Sequence, residues 1–191
     1  MRSNYQRLEQ FYTCDEIQML CVDKDFMFAF ITAMASMKQE IELQQWFKLL
    51  CKNQSDPVFS STQLAADFAE IVLAIFAQAR QCFAKKILLP LTLTMSQWMD
   101  DKKQLKTSAI QFSLGYIQGL EYINTYVSDS DIDESTANLK QTCFLLLSKL
   151  AYSASEDLAV QSLFLELPKY DEILRCLPKL LTTYGAQCHE S

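Results

Sequence analysis

Few side chains in this sequence can perform chemistry, and their spacing assembles no familiar catalytic set. The chain has one histidine, His189, close to the end of its 191 residues. A catalytic base or a metal ligand needs rigid supporting side chains, which the end of a chain seldom provides. We therefore expect residues 185–191 to form a frayed tail. A metal site at Cys188 and His189 would need ligands from another chain, and a Cys–His nucleophile pair would also have to use His189.

The cysteines show neither disulfide nor metal spacing. There are seven of them, and no two are spaced C-x-x-C: Cys14, Cys21, Cys51, Cys82, Cys143, Cys176 and Cys188. Each lies in a mostly apolar context that is typical of a helix. An odd number of such cysteines favours buried, reduced thiols over a disulfide framework.

Acidic residues offer the other chemical candidates. The pairs Asp100–Asp101 and Asp171–Glu172 lie in polar surroundings that indicate solvated helix surface. Residues 129–140 begin like a calcium-binding loop, but the sixth position is Glu134 where glycine is required and the twelfth is Lys140 where glutamate is required. No P-loop, dinucleotide-binding loop or G-x-S-x-G elbow is present. We predict no catalytic residue, no cofactor and no metal.

Composition favours a globular chain of long helices. Half of the residues are hydrophobic, and there are only three glycines and four prolines, too few for the turns and phosphate loops of other common folds. The net charge of −6 disfavours nucleic acid and anionic membranes as partners. The N-terminus lacks a hydrophobic signal core, and no apolar run approaches the roughly 18 residues of a membrane span. These features lead us to expect a cytoplasmic protein without membrane contact.

Apolar periodicity predicts an all-α fold. Helices are predicted at 3–12, 25–37, 41–50, 62–86, 97–127 and 134–152, with Thr13 and Glu16 capping a further short helix and Pro168 and Pro178 dividing the last region. Residues 87–93 are predicted to be a buried extended connection, because Pro90 argues against a strand. We expect one domain over 1–191, a multi-helix bundle of about six to eight helices with a C-terminal helical extension. Its core helices lie in 1–127, and its C-terminal helices, 134–186, follow an acidic linker.

Two glycines single out the helix at 107–126. Gly115 and Gly119 are four residues apart, so they share one face of the helix. Each glycine costs about 1 kcal/mol against alanine inside a helix, so we infer that they permit close packing against another backbone. The nearby aromatics, Trp46 and Tyr116 among them, have spacings that fit either a packed core or a ligand pocket, and core packing is the favoured interpretation.

The same helix carries a resemblance to a known family. Phe112, Gly115, Tyr116, Gly119 and Leu120 fill the pattern aromatic-x-x-Gly-aromatic-x-x-Gly-hydrophobic. This pattern resembles the YecA/YgfB-like family of uncharacterised bacterial proteins, in which the first aromatic is usually tryptophan.

Two earlier segments resemble the same family in the same order. FITAM at 30–34 is similar to the family's GFLTAL segment, with Ala29 replacing its glycine and Phe28 replacing its usual histidine or aspartate. WFKLL at 46–50 is similar to its WLPLL element. The resemblance covers residues 14–127, and the absence of a C-x-C tail places the chain nearer the YgfB-type branch.

The resemblance implies an all-helical, cytosolic, self-associating protein without known catalytic residues. Together with the missing chemistry, it leads us to expect a non-enzymatic protein that acts through protein–protein contact, as a regulatory adaptor or a homodimer. The alternative is a small-molecule-binding or enzymatic domain that uses the aromatic cluster around Trp46 and Tyr116. A nucleic-acid-associated regulator is opposed by the net charge. The expected helix-packing residues are Phe30, Thr32, Ala33, Trp46, Phe112, Gly115, Tyr116, Gly119 and Leu120.

Overall fold

The computed structural model describes residues 3–39, 41–55, 57–91, 95–126 and 133–190. In these residues the regular secondary structure is helical, which confirms the predicted all-α class. The extended pairing found within the described ranges is confined to two isolated antiparallel bridges, Cys21 with Cys51 and Met99 with Leu105.

The helices follow one another along the chain with short connections. They are α1 (Asn4–Phe11), α2 (Asp15–Leu20), α3 (Lys24–Met34), α4 (Leu43–Phe47), α5 (Thr62–Ala84), α6 (Met95–Trp98), α7 (Thr107–Ile123), α8 (Glu134–Ala151), α9 (Leu158–Leu163) and α10 (Tyr170–Glu190). A single 3-10 turn, Lys48–Leu50, extends α4. The core lies where α3, α5, α7, α8 and α10 meet.

Polar side chains cap the N-termini of several helices. Ser3 forms a capping box with Gln6 at α1, Asp23 caps α3, and Ser61 caps α5. Each side-chain oxygen accepts a hydrogen bond from a backbone N–H that the helix itself leaves unsatisfied, which typically stabilises the helix by about 1 kcal/mol.

The predicted cap of α2 is wrong. This helix begins after Cys14 without a side-chain cap, and Thr13 Oγ1 instead donates to the Gln10 carbonyl at 2.7 Å. Glu16 accepts hydrogen bonds from the backbone and hydroxyl of Ser60. Its carboxylate therefore fixes the loop before α5, a tertiary contact that the local capping pattern does not reveal.

Helix α3 is central, as its composition predicts. Residues 27–34 are all buried, and α3 packs along α7 and also against α5. Residue numbers at the contact increase in the same direction along both helices, since Phe26 lies against Gly115 and Ala33 lies against Gly119. The two helices therefore run parallel, and the intervening chain returns across the bundle.

The segment before α7 differs from the prediction of a helix from residue 97 onwards. Helix α6 ends at Trp98, and the chain makes a tight turn closed by the Met99–Leu105 bridge. Asp100 Oδ1 accepts from the backbone N–H groups of Lys102 and Gln104, at 2.9 and 2.8 Å. A carboxylate that satisfies the backbone in this way competes with helix formation. Residue 127 lies outside the described residues.

The connection after α5 forms no strand within residues 87–91, but its predicted burial is wrong for Ile87 and Leu88, which are more than half exposed. Leu89 is buried, and its backbone N–H donates to Thr182 Oγ1 in α10 at 3.0 Å. Residues 92–94 lie outside the described residues. So do residues 128–132 of the predicted acidic linker, whereas the following Asp133 caps α8.

The C-terminal helices pack into the same core. Helix α8 packs on α7, and α10 packs on both α8 and α5. Pro178 was expected to divide this region, but it lies inside a continuous α10. A proline inside a helix costs about 3 kcal/mol, and here the buried Ile173, Leu177 and Leu181 on the same helix offset that cost.

The expected fraying of 185–191 is also wrong for the described residues up to Glu190. Helix α10 continues through Glu190, and Gly185 and Ala186 are buried. His189 Nε2 lies 3.0 Å from the Ala35 carbonyl, and its ring lies 5.9 Å from that of Phe83. Tertiary contacts of this kind outweigh the usual mobility of a chain end.

Among the described helices, α5 alone has the length and hydropathy that a membrane span requires. Core helices of soluble proteins meet the same criterion. One face of α5 packs on α1, α3 and α10, and its exposed side carries polar residues such as Glu70 and Gln81.

Candidate functional site

The two glycines of α7 lie directly against α3. A Cβ atom built on Gly115 would lie 2.8 Å from Phe26 Cα, and one built on Gly119 would lie 2.5 Å from Ala33 Cβ. Real Cβ atoms essentially never approach other atoms this closely, so both positions require glycine at this helix separation. The glycine face therefore packs within the chain.

The remaining predicted packing residues lie in or beside this contact. Phe30, Ala33, Phe112 and Leu120 are fully or almost fully buried. Thr32 is buried too, and its hydroxyl donates to the Phe28 carbonyl at 2.7 Å, which satisfies it within the helix. These side chains hold helices together, and none of them presents a free reactive group.

Trp46 and Tyr116 do not share one aromatic cluster. Trp46 contacts Phe30 and Phe76, with ring centroids 6.0 and 5.9 Å apart. Tyr116 instead contacts Phe112, at 6.3 Å. Both rings are almost completely buried, so the described structure favours core packing over the ligand site that was the alternative.

The Tyr116 hydroxyl is unusual within this core. It is buried without a hydrogen-bond partner among the described residues. Burial, with smaller contributions from Cys143 and Tyr184, raises the pKa of Tyr116 well above its ordinary value, so the phenol stays neutral. The neutral phenol is therefore enclosed by the core.

A polar network lies at the start of α3. The buried carboxylate of Asp25 accepts a short hydrogen bond from the Tyr5 hydroxyl. Lys24 Nζ donates to the Tyr5 oxygen at 2.7 Å, and it lies 3.3 Å from Glu9 and 3.6 Å from Asp25. Burial raises the pKa of Asp25, and the hydrogen bond from Tyr5 and the charge of Lys24 oppose that rise.

Cys21 and Cys51 lie beside this network as directly opposite residues of an antiparallel bridge. The Val22 N–H donates to the Leu50 carbonyl and the Lys52 N–H donates to the Leu20 carbonyl, each at 3.0 Å. The hydrogen bonds thus flank the pair. In this arrangement the facing Cα atoms are about 4.5 Å apart and their side chains are close. Both cysteines are buried.

An open cleft leads to Cys21. Its volume is about 380 Å³, and its lining comprises Tyr12, Gln18, Cys21, Val22, Asp23, Lys24 and Lys52. Tyr12 donates to the Val22 carbonyl at 2.5 Å and Lys52 Nζ donates to the Gln18 carbonyl at 2.6 Å, so the cleft walls are fixed by hydrogen bonds. We call this feature the Cys21 cleft.

Sequence reasoning did not find the cysteine pair, because the two residues are thirty positions apart and no short motif joins them. A weak signal for the polar network did exist. Asp25 begins a helix that is otherwise apolar nearly all round, and an acid in such a place needs a partner once it is buried. The cap of this helix is Asp23.

The acidic pairs have ordinary structural roles. Asp100 closes a turn, and Asp171 forms an ion pair with Arg175 at 3.2 Å. Within the described ranges, no group of three or more His, Cys, Asp or Glu side chains could hold a metal ion.

A strongly exposed apolar surface lies around α9. Leu158, Leu163 and Leu165 are 78%, 72% and 78% exposed, and α9 contains no buried residue. Lys149 of α8 donates to the carbonyls of Phe164 and Leu167, at 3.0 and 2.9 Å, and so ties the segment down through its backbone. We call these three leucines the α9 surface.

Comparison with known proteins gave no matching family model, no similar curated protein and no similar solved structure.

Proposed function

We propose that this chain is a non-enzymatic helical protein that acts through protein–protein contact, and that a second copy of the chain is its first partner. The observation that carries this proposal is the α9 surface. Three leucines within eight residues are more than 70% exposed, although the long helices of the chain pack together in one core. Clustered exposed apolar side chains of this kind mark interaction sites.

Self-association suits this surface. In a two-fold dimer the same patch contributes from both copies, so the leucines of one α9 meet those of the other. Fully burying one leucine side chain contributes about 1.5–3 kcal/mol, and three per copy are enough to offset part of the entropy cost of association. A regulatory adaptor role would use the same surface for another protein.

A relationship with the YecA/YgfB-like family is part of the proposal. Its support is the order of the three resembling segments and the way they meet. Ala33 of the first segment packs on Gly119, and Phe30 of the same segment contacts Trp46 of the second. A cytoplasmic location is also proposed, supported by seven cysteines that carry no disulfide.

The test is the molar mass in solution, measured by analytical ultracentrifugation over a dilution series. We expect a concentration-dependent dimer for the wild type. Leu163→Glu should raise the dissociation constant at least tenfold, since it places a charge in the apolar contact. Val58→Glu is the matched control, because Val58 is 86% exposed but lies in the loop before α5.

Two results would overturn the assignment. A wild type that is monomeric at about 1 mM has less than about 4 kcal/mol of association free energy, which excludes a specific dimer. Equal weakening by Val58→Glu and Leu163→Glu would mean that association does not depend on the α9 surface.

A further inference from the structure

The Cys21–Cys51 bridge has the geometry that a disulfide requires. A directly opposite antiparallel pair flanked by its hydrogen bonds has Cα atoms about 4.5 Å apart. Disulfides form at Cα separations of about 4.4–6.8 Å. The two side chains also lie on the same face, because directly opposite residues of an antiparallel pair point to the same side. The backbone therefore holds the two cysteines at a separation that a disulfide can span.

We propose that Cys21 and Cys51 are an oxidation site, at which a small peroxide that enters the Cys21 cleft converts the two thiols into an intrachain disulfide. This inference is independent of the proposed association. It assigns a reversible covalent modification to two residues that otherwise belong to the core.

The reaction balances with one peroxide. The Cys21 thiol loses its proton to solvent, its sulfur attacks one oxygen of hydrogen peroxide, and the O–O bond breaks to give a sulfenic acid and hydroxide, which takes up a proton from solvent and becomes water. The Cys51 sulfur then attacks the sulfenic sulfur, and the hydroxyl group leaves with the proton of the Cys51 thiol as a second water. The two sulfurs lose two electrons in total and the peroxide gains them.

The size of the oxidant follows from burial. Cys21 is only 1% exposed and Cys51 only 4%, so a bulky disulfide such as oxidised glutathione is excluded. Hydrogen peroxide is close to water in size, and the cleft that Cys21 helps to line is large enough to admit it. Peroxide is therefore the oxidant that fits.

The rate depends on pH. The neighbouring Cys51 thiol and burial raise the pKa of Cys21, while the charge of Lys52 opposes them. The thiol is therefore the main form at neutral pH, and the thiolate is the reactive species. We expect the oxidation rate to rise about tenfold per pH unit through the neutral and weakly alkaline range.

The experiment is peroxide treatment of the folded wild-type protein, followed by alkylation in denaturant and peptide mass mapping. We expect five of the seven cysteines to be alkylated, with a cross-linked peptide pair that contains Cys21 and Cys51. Dithiothreitol should restore alkylation of both residues. The bond closes a loop of about thirty residues, so the oxidised protein should melt about 5–15 °C higher.

Cys176→Ala is the matched control, since Cys176 is exposed and lies on α10. This variant should form the same cross-link and show the same increase in Tm, whereas Cys51→Ala should lose both. If Cys51→Ala does not fold, the peptide map of the wild type decides alone. Full alkylation of all seven cysteines after peroxide, or a cross-link between other cysteines, would overturn the proposal.

Discussion

At the scale of single residues, two glycines set the separation of α3 and α7. Gly115 faces the backbone of Phe26, which cannot rotate away as a side chain can. Gly119 faces the methyl group of Ala33. The separation of the two helices is therefore limited by backbone atoms and one methyl group, and other side chains fill the space on both sides.

This contact predicts an unusual response to a helix-favouring substitution. Gly115→Ala gains about 1 kcal/mol of helix propensity, but its methyl group would overlap the Phe26 backbone. We expect a net loss of about 1–3 kcal/mol in the free energy of unfolding, measured by urea denaturation. Glu121→Ala is the control on the exposed face of α7 and should change stability by less than about 0.5 kcal/mol. A stabilised Gly115→Ala would show that the helices can separate without cost.

The sequence could predict the close approach at Gly115 and Gly119, because glycine inside an apolar helix has few other uses. It could not identify the partner helix, since that depends on which faces meet in three dimensions. Asp25 shows the same limit. Its type marks a place that needs a partner, but Tyr5 and Lys24 come together around it only when α1 packs beside α3.

At the scale of elements, the last turn of α10 is the part that differs most from expectation. Composition near a chain end suggests fraying, yet this turn lies against α5 and the end of α3. His189 Nε2 approaches the Ala35 carbonyl at 3.0 Å, and because a carbonyl can only accept, this nitrogen carries the proton. Gly185 lies so close to the Phe83 ring that an added Cβ would be 2.7 Å from Phe83 Cγ.

We expect His189→Ala to lower the free energy of unfolding by about 1–2 kcal/mol, because it removes this hydrogen bond and the contact with Phe83. The neighbouring Glu190→Ala is the control. Its ion pair with Lys86 is exposed on both sides, so its loss should cost less than about 0.5 kcal/mol. Urea denaturation of both variants provides the measurement. Equal stability of His189→Ala and the wild type would mean that the turn does not hold the core.

Helix existence was predictable from apolar periodicity, and several boundaries were predictable from caps such as Asp23 and Ser61. The predicted helix boundaries are wrong where a polar side chain forms its hydrogen bonds outside the predicted helix. Glu16 bonds to Ser60, and Asp100 bonds to the backbone of its own turn, so neither supports the helix that local pattern favours. The predicted break at Pro178 is wrong for the opposite reason, because the burial of apolar side chains along α10 outweighs the cost of a proline inside the helix.

At the scale of the whole molecule, the C-terminal helices are integral to the core. α8 covers α7, and α10 bridges α8 and α5, so the N-terminal helices keep apolar faces that only the C-terminal part covers. The sequence suggests a division between 1–127 and 134–186. The helices on its two sides nevertheless pack against each other in one core.

This arrangement predicts cooperative unfolding. We expect the fluorescence of Trp46 and Trp98, which report on the N-terminal part, to change at the same urea concentration as the hydrogen-exchange protection of α8 and α10. Both tryptophans are almost fully buried, so their signals follow loss of the core. Two separated transitions would show that the C-terminal helices fold independently.

The parallel contact between α3 and α7 also has a consequence during synthesis. Phe26 and its glycine partner are separated by 89 positions of the chain. At about 5–20 residues per second, α3 waits roughly 4–18 s on the ribosome before Gly115 has been added. Through that interval a helix that is apolar nearly all round has no α7 to cover it. We therefore expect chaperones that shield hydrophobic segments to protect the nascent chain until α7 has been made.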